Sequence, residues 1–231
     1  MRLIFEGVKE AIRLIVSFDK DVMFITWTSI RIAIISTSLA MLFGIPCGMA
    51  LALKNFPGRK FLISLINTGM AFPPVAIGLW VSIFLWRSGP LGRLQLIYTP
   101  SALIIAQFVI AFPMIAGFTV AGIQQLSPKI HLQILSLGAT KFQYTLAIIK
   151  ETKLPIIAAI IAGFGAVISE VGASMMVGGN IKGSTRMLTT ATVLEVAKGN
   201  FGTAMALTII LMTIAYIVTL LLTLVQQEKR E

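Results

Sequence analysis

A chain of 231 residues that is 57% hydrophobic and 12% charged cannot cover a soluble core with polar surface, since ordinary soluble domains carry about 25% charged residues. Its formal charge of +10 comes from basic residues scattered over several loops, a pattern that argues against a nucleic-acid-binding module. One cysteine, Cys47, excludes an internal disulfide framework, and His131 has no Cys, His or carboxylate cluster around it to make a metal site.

Residues 1–20 form an amphipathic arm. Arg2, Glu6, Lys9 and Arg13 share one helical face, and Ile4, Val8, Ile12 and Ile15 form the opposite apolar stripe, suited to lie along a membrane surface. Glu6 and Glu10 interrupt the apolar region and no small-residue cleavage site precedes Asp19, so the arm is expected to be retained.

Residues 21–231 read as one membrane domain. Crossing roughly 30 Å of hydrocarbon takes about 20 helical residues. Five runs are long enough, which places spans near 25–53, 61–86, 101–123, 154–177 and 203–225. Backbone groups in lipid must pair internally, so the runs are expected to be helices. Gly44 and Gly48 in the first form a G-x-x-x-G pair that permits close helix packing. Pro73, Pro74 and Pro113 are expected to bend their helices. Arg31, near one end of the first span, is expected to reach back to the interface; pairing with Glu170 is the alternative.

Charge alone leaves the orientation open. Lys54, Arg59, Lys60, Lys129, Lys141, Lys150, Lys153, Lys229 and Arg230 fall on one side of a five-span chain. Arg87, Arg93, Lys182, Arg186 and Lys198, with the basic residues of the arm, fall on the other.

The loop 126–153 is the most informative stretch. Ile130, Ile134 and Leu137 are spaced as a helix face, Gly138 breaks the pattern, a second helical stretch follows, and Pro155 opens the next span. Such a helix–Gly–helix elbow reads as a docking surface for a partner; the bland alternative is a long connection.

Here the chain resembles the binding-protein-dependent ABC importer permeases. Their motif, E-A-A, three residues, G, then a run ending in L-P, is matched by Gly138 with Ala139 and by Leu154 with Pro155. Leu132, Gln133 and Ile134 stand at the E-A-A positions, so any contact made by the family's glutamate is replaced by apolar packing. The resemblance implies that Leu132, Gln133, Ile134, Leu137, Gly138, Ala139, Leu154 and Pro155 couple the chain to a separate ATPase. It also implies that the loop is cytoplasmic, with the N-terminus outside and the C-terminus inside the cell membrane. The stretch 161–199, with S-E-V-G-A followed by V-G-G-N-I-K-G, resembles the tungstate-type permeases.

Glu170 is the one acidic residue inside a predicted span, where a charge costs about 2.5–3.5 kcal/mol on insertion scales. Three readings stay open: a structural hydrogen bond, a gate, or substrate contact, the last disfavoured because a carboxylate repels an oxyanion. Ser169, Glu170 and Ser174, with Asn180, Thr185, Arg186 and Thr189 in the polar segment that follows, are the candidate pathway or gate residues. A polar external loop is the alternative for that segment. It is no nucleotide loop, because Lys182 precedes Gly183 rather than following it before a Ser or Thr.

The expectation is thus an all-α membrane protein of the type I ABC importer permease kind, with about five transmembrane helices. The resemblance implies a tungstate importer working as a pair of copies, with a separate ABC ATPase that binds ATP and Mg and an extracytoplasmic oxyanion-binding protein. This chain is expected to bind no cofactor and to catalyse no reaction. A molybdate or sulfate permease is the near alternative; an ion channel or an intramembrane enzyme is the distant one.

Overall fold

The computed structural model describes the backbone of residues 2–227 and the side chains of residues 5–227. Lys229 and Arg230 of the tail lie outside the described residues, as do the side chains of Arg2 and Ile4 in the arm. Among the described residues the fold is all helical: α1 (Arg2–Val16), α2 (Lys20–Leu53), α3 (Arg59–Ala71), α4 (Pro74–Leu85), a 3-10 turn (Gly92–Leu94), α5 (Pro100–Gln124), α6 (Pro128–Ser136), α7 (Lys141–Glu151), α8 (Lys153–Ile168), α9 (Gly172–Gly178), α10 (Leu188–Ala197) and α11 (Phe201–Gln227).

Helix starts follow local chemistry. Asp19 accepts from the Val22 amide at 3.0 Å to cap α2, and Thr99 with Pro100 opens α5. Ser127 with Pro128 opens α6, and Thr140 and Gln143 form a capping box on α7. At the other end of α2, the Arg59 guanidinium donates to the carbonyls of Leu51 and Ala52, so this basic loop residue closes a helix.

Among the described residues three helices, α2, α5 and α11, are long and apolar enough to cross a membrane, and the number rises to five if two bent pairs each count as one span. The pairs are α3 with α4, bent by 105°, and α7 with α8, bent by 67°. The first bend falls at Pro73–Pro74. Phe72 and Pro73 are held at ψ 134° and 125°, as residues that precede a proline must be. At Pro113, by contrast, α5 runs on unbroken, and α2 does the same across Pro46. The run expected as one span at 154–177 is interrupted after Ile168 and resumes as the short α9.

The bundle is built on the parallel seam between α2 and α5, where Ser36 meets Gln107, Gly44 meets Ile115 and Gly48 meets Thr119. Gly44 and Gly48 face α5 there; a Cβ on Gly48 would sit 2.6 Å from the Ala116 carbonyl and 2.8 Å from Thr119 Cβ. Backbone cannot yield as a flexible side chain can, so Gly48→Leu is expected to destabilise the protein by about 1–3 kcal/mol. Gly165→Ala, in α8 with nothing within 4 Å, should leave the apparent melting midpoint unchanged or slightly higher. Equal midpoints for the two variants in thermal unfolding would show that the seam is not tight. Around it, Ala33, Ala40, Ala111, Ile115, Phe164 and Val167 form a core shared by α2, α5 and α8.

The arm does not stand alone. α1 lies against α11 through its small residues, with Gly7 against Met205 and Ala11 2% exposed. The apolar stripe Val8, Ile12 and Ile15 stays exposed, joined by Phe5 and Val16. A helix fastened on one side and apolar on another suits the edge of a bilayer.

Candidate functional site

Two places carry features that folding alone does not require. They lie at different levels of the bundle.

The first is the elbow of α6 and α7. It is fastened to the bundle by Ile134, Tyr144 and Ile148, which join Met49 of α2 and Ile123 of α5 in one cluster. His131 is half-buried, and its Nδ1 lies 2.7 Å from the Tyr144 hydroxyl, tying α6 to α7. The turn between the helices passes through Gly138, whose φ of +73° is the left-handed conformation that glycine adopts without strain. With the inner faces so held, Leu132, Leu135, Leu137 and Phe142 are exposed, the last two at 80% and 78%. Gln133 is exposed beside them and Ala139 is half-buried at the turn. Leu154 and Pro155 lie at the root: the Leu154 carbonyl accepts from Gln226 Nε2 of α11 at 3.3 Å, and the Pro155 ring lies against Gly122 of α5. Four large apolar side chains on one knuckle form the kind of contiguous apolar surface that marks an interaction site.

The second is the break between α8 and α9. Ser169 is exposed and its hydroxyl bonds back to the Gly165 carbonyl at 2.7 Å. Glu170 points inward, 6% exposed, and its Oε1 accepts from the Ala173 amide at 2.7 Å. A side-chain acceptor that takes an amide from the backbone ladder stops one helix and caps the next. The Thr189 hydroxyl of α10 donates to the Glu170 carbonyl at 2.9 Å, so a third helix secures the break. Arg31 makes no ion pair with Glu170; it is exposed on the outside of α2.

Behind the break lies a buried polar cluster centred on Gln107, which is 0% exposed two turns into α5. Its Oε1 accepts from the Ser36 hydroxyl of α2 at 3.1 Å, and its Nε2 donates to Ser174 Oγ of α9 at 3.4 Å. The same amide approaches Met187 Sδ at 3.7 Å, just before α10. Nearby, the Leu188 amide donates to Ser29 Oγ of α2 at 2.8 Å. Helices α2, α5 and α9 and the residue that caps α10 thus meet on one side chain. Ser36 and Gln107 were not among the expected site residues, although an uncharged amide within an apolar span was a legible signal.

The remaining expected residues are largely turned to one another. Thr185 donates to the Gly178 carbonyl and accepts from the Ile181 amide at 3.0 Å. Asn180 Nδ2 donates to the Thr190 carbonyl at 3.3 Å, and Arg186 donates to the Asn180 carbonyl at 3.3 Å. Asn180 Oδ1 and Arg186 Nε are left buried without a partner. At the end of α10, which is too short to span, Lys198 and Asn200 hydrogen-bond Glu195 and hold its carboxyl below the ordinary glutamate range. The segment 178–198 is therefore a self-bonded cap over the break.

A helical bundle of this form recurs in solved transporters. In the MetNI methionine ABC transporter, in inward-facing conformations, one chain superposes with a TM-score of 0.71 over 90% of this chain and 94% of that one, at 18% identity. The class is thus that of the type I ABC importer permeases, transport subunits rather than enzymes. The chain belongs to the family of binding-protein-dependent transport system inner membrane components, which it matches over residues 44–231. It is 37% identical to a tungstate uptake system permease protein of Peptoclostridium acidaminophilum, over 99% of this chain and 100% of that relative. A second tungstate uptake system permease protein, from Campylobacter jejuni, is 34% identical over 92% of this chain and 89% of its own length.

Proposed function

We propose that this permease serves a tungstate importer. The observation that carries the reading is the likeness along the whole chain to a relative named for tungstate uptake. Two copies enclose the pathway, since the helices of one chain provide only part of a pore wall. Leu132, Leu137 and Phe142 seat the elbow of each copy in a separate ATPase, which binds ATP and Mg; this chain holds neither. That places the elbow and the C-terminus in the cytoplasm and the N-terminus outside. An external binding protein delivers the oxyanion to the opposite face.

Within this scheme Ser169, Glu170, Ser174 and Thr189 act as the hinge of the pathway rather than as ligands of the anion. A buried carboxylate that accepts a backbone amide has a structural occupation already, and it repels a dianion. Asn180, Thr185 and Arg186 keep the capping segment in shape above it.

Proteoliposomes carrying the permease, its ATPase and its binding protein should accumulate tungstate in an ATP-dependent manner. Competing molybdate and sulfate should inhibit only at higher concentrations. Preferential accumulation of sulfate or molybdate would overturn the choice of anion, and uptake without the ATPase would overturn the importer scheme.

A further inference from the structure

Arg31 is the one cation in the long apolar course of α2, and no function given to the bundle uses it. It stands 11 positions after Lys20, the first residue of α2, which at 1.5 Å per residue is about 16 Å along the axis. It is exposed, and among the described residues it forms neither a hydrogen bond nor an ion pair. A guanidinium on the apolar face of a membrane helix without a partner is costly unless something outside the chain meets it.

The surface around it is specific. Arg31 lines a cavity of about 200 Å³ between α2, the start of α5 and the turn before α10, together with Trp27, Ile104, Gly183 and Ser184. No carboxylate lines the cavity. The nearest acidic groups are engaged elsewhere: Asp21 is bound by Lys182, and Glu170 caps α9. The polar side chains that line it, Arg31, Thr28 and Ser184, can all donate, and the guanidinium can do nothing else. Besides the guanidinium there is the Ser184 hydroxyl, which has no acceptor, and the Gly183 amide, which is free of backbone bonds in a left-handed turn at φ +75°. Donors without acceptors call for an anion.

The walls identify which kind. Along the same face of α2, Phe24, Trp27 and Ile34 are 42%, 63% and 51% exposed, so the anion must sit beside an apolar helix surface. A free divalent oxyanion would lose its hydration there against a single positive charge. A phosphodiester carries one negative charge, matches one guanidinium, and brings its own acyl chains to cover the exposed rings. Trp27 one turn away is the side chain that favours the headgroup level of a bilayer. We propose that Arg31, Ser184 and Gly183 form a site for the phosphate of a membrane phospholipid, on the side of the bundle away from the elbow. The inference does not depend on which anion the importer carries.

Native mass spectrometry of the full-length protein, purified in detergent and supplied with phosphatidylglycerol, tests the site. Wild type should retain a lipid that Arg31→Gln holds about tenfold less well, with Arg31→Lys intermediate because it keeps the charge and loses the fork. Ser184→Ala should weaken retention less, and serves as the second reading if Arg31→Gln does not fold. Equal retention by wild type and all variants would overturn the site. Displacement of the lipid by millimolar inorganic phosphate or tungstate would make it a free oxyanion site and overturn the lipid assignment. A change in oligomer mass in Arg31→Gln, with lipid retention unaltered, would make the face a protein interface and overturn it as well.

Discussion

Gly138→Val should lower ATP-dependent uptake by about five- to thirtyfold and weaken association with the ATPase, while the purified protein keeps its helical content. The range follows from the turn. At φ +73° an L-residue places its Cβ against the following carbonyl, at a cost of about 1–2 kcal/mol that a β-branched residue pushes upward. One to two kcal/mol is a factor of about 5–30 in a conformational equilibrium. Space is not the cause, since a Cβ at Gly138 meets nothing within 4 Å. The penalty therefore falls on the angle between α6 and α7, which sets where Leu137 and Phe142 point. Gly138→Asn separates the effects, because asparagine tolerates the left-handed region and should keep most of the uptake. If valine and asparagine transport equally well, the conformation of this turn does not control coupling. If both fail while the ATPase still associates, the defect lies elsewhere in the cycle.

How legible such features were depended on whether one residue or several produced them. Asp19, Thr99 with Pro100, and Ser127 with Pro128 start helices by local hydrogen bonds and proline geometry, so the signal for each start is local. Pro73–Pro74 announced a bend, because each proline holds its predecessor in an extended conformation, whereas the same expectation at Pro113 met an unbroken helix. The G-x-x-x-G of α2 was only a permission; it became a contact because Ala116 and Thr119 of α5 lie opposite. The break after Ile168 was not expected although Glu170 stood out in that run, because it depends on this acceptor meeting an amide three residues on. Gln107 is the clearest case of a distributed feature. Its partners Ser36 and Ser174 are 71 and 67 residues away, and no local pattern announces that they converge. Residues of the polar segment 178–198 were expected as pathway or gate residues, with a polar external loop as the alternative. Its members instead bond one another, as short polar groups near membrane depth must when water is scarce.

The second large effect is expected at Glu170, where two substitutions divide the structural reading from the gating one. Glu170→Ala removes the acceptor of the Ala173 amide in a site 6% exposed. Loss of a capping acceptor costs about 0.5–2 kcal/mol, and the upper part of that range applies because water cannot readily replace it. The start of α9 should loosen, Ser174 should lose its register with Gln107, and uptake should fall about tenfold or more with a lower melting midpoint. Glu170→Gln keeps an oxygen in the same place. If the carboxylate only ends α8 and starts α9, the glutamine variant should melt near wild type and transport within about twofold of it. If the charge itself moves the break between inward- and outward-open states, glutamine should fold normally and stop transport. The pair of melting midpoint and uptake rate in these two variants assigns the residue, because a cap depends on the oxygen and a charge-driven gate on the ionised carboxylate.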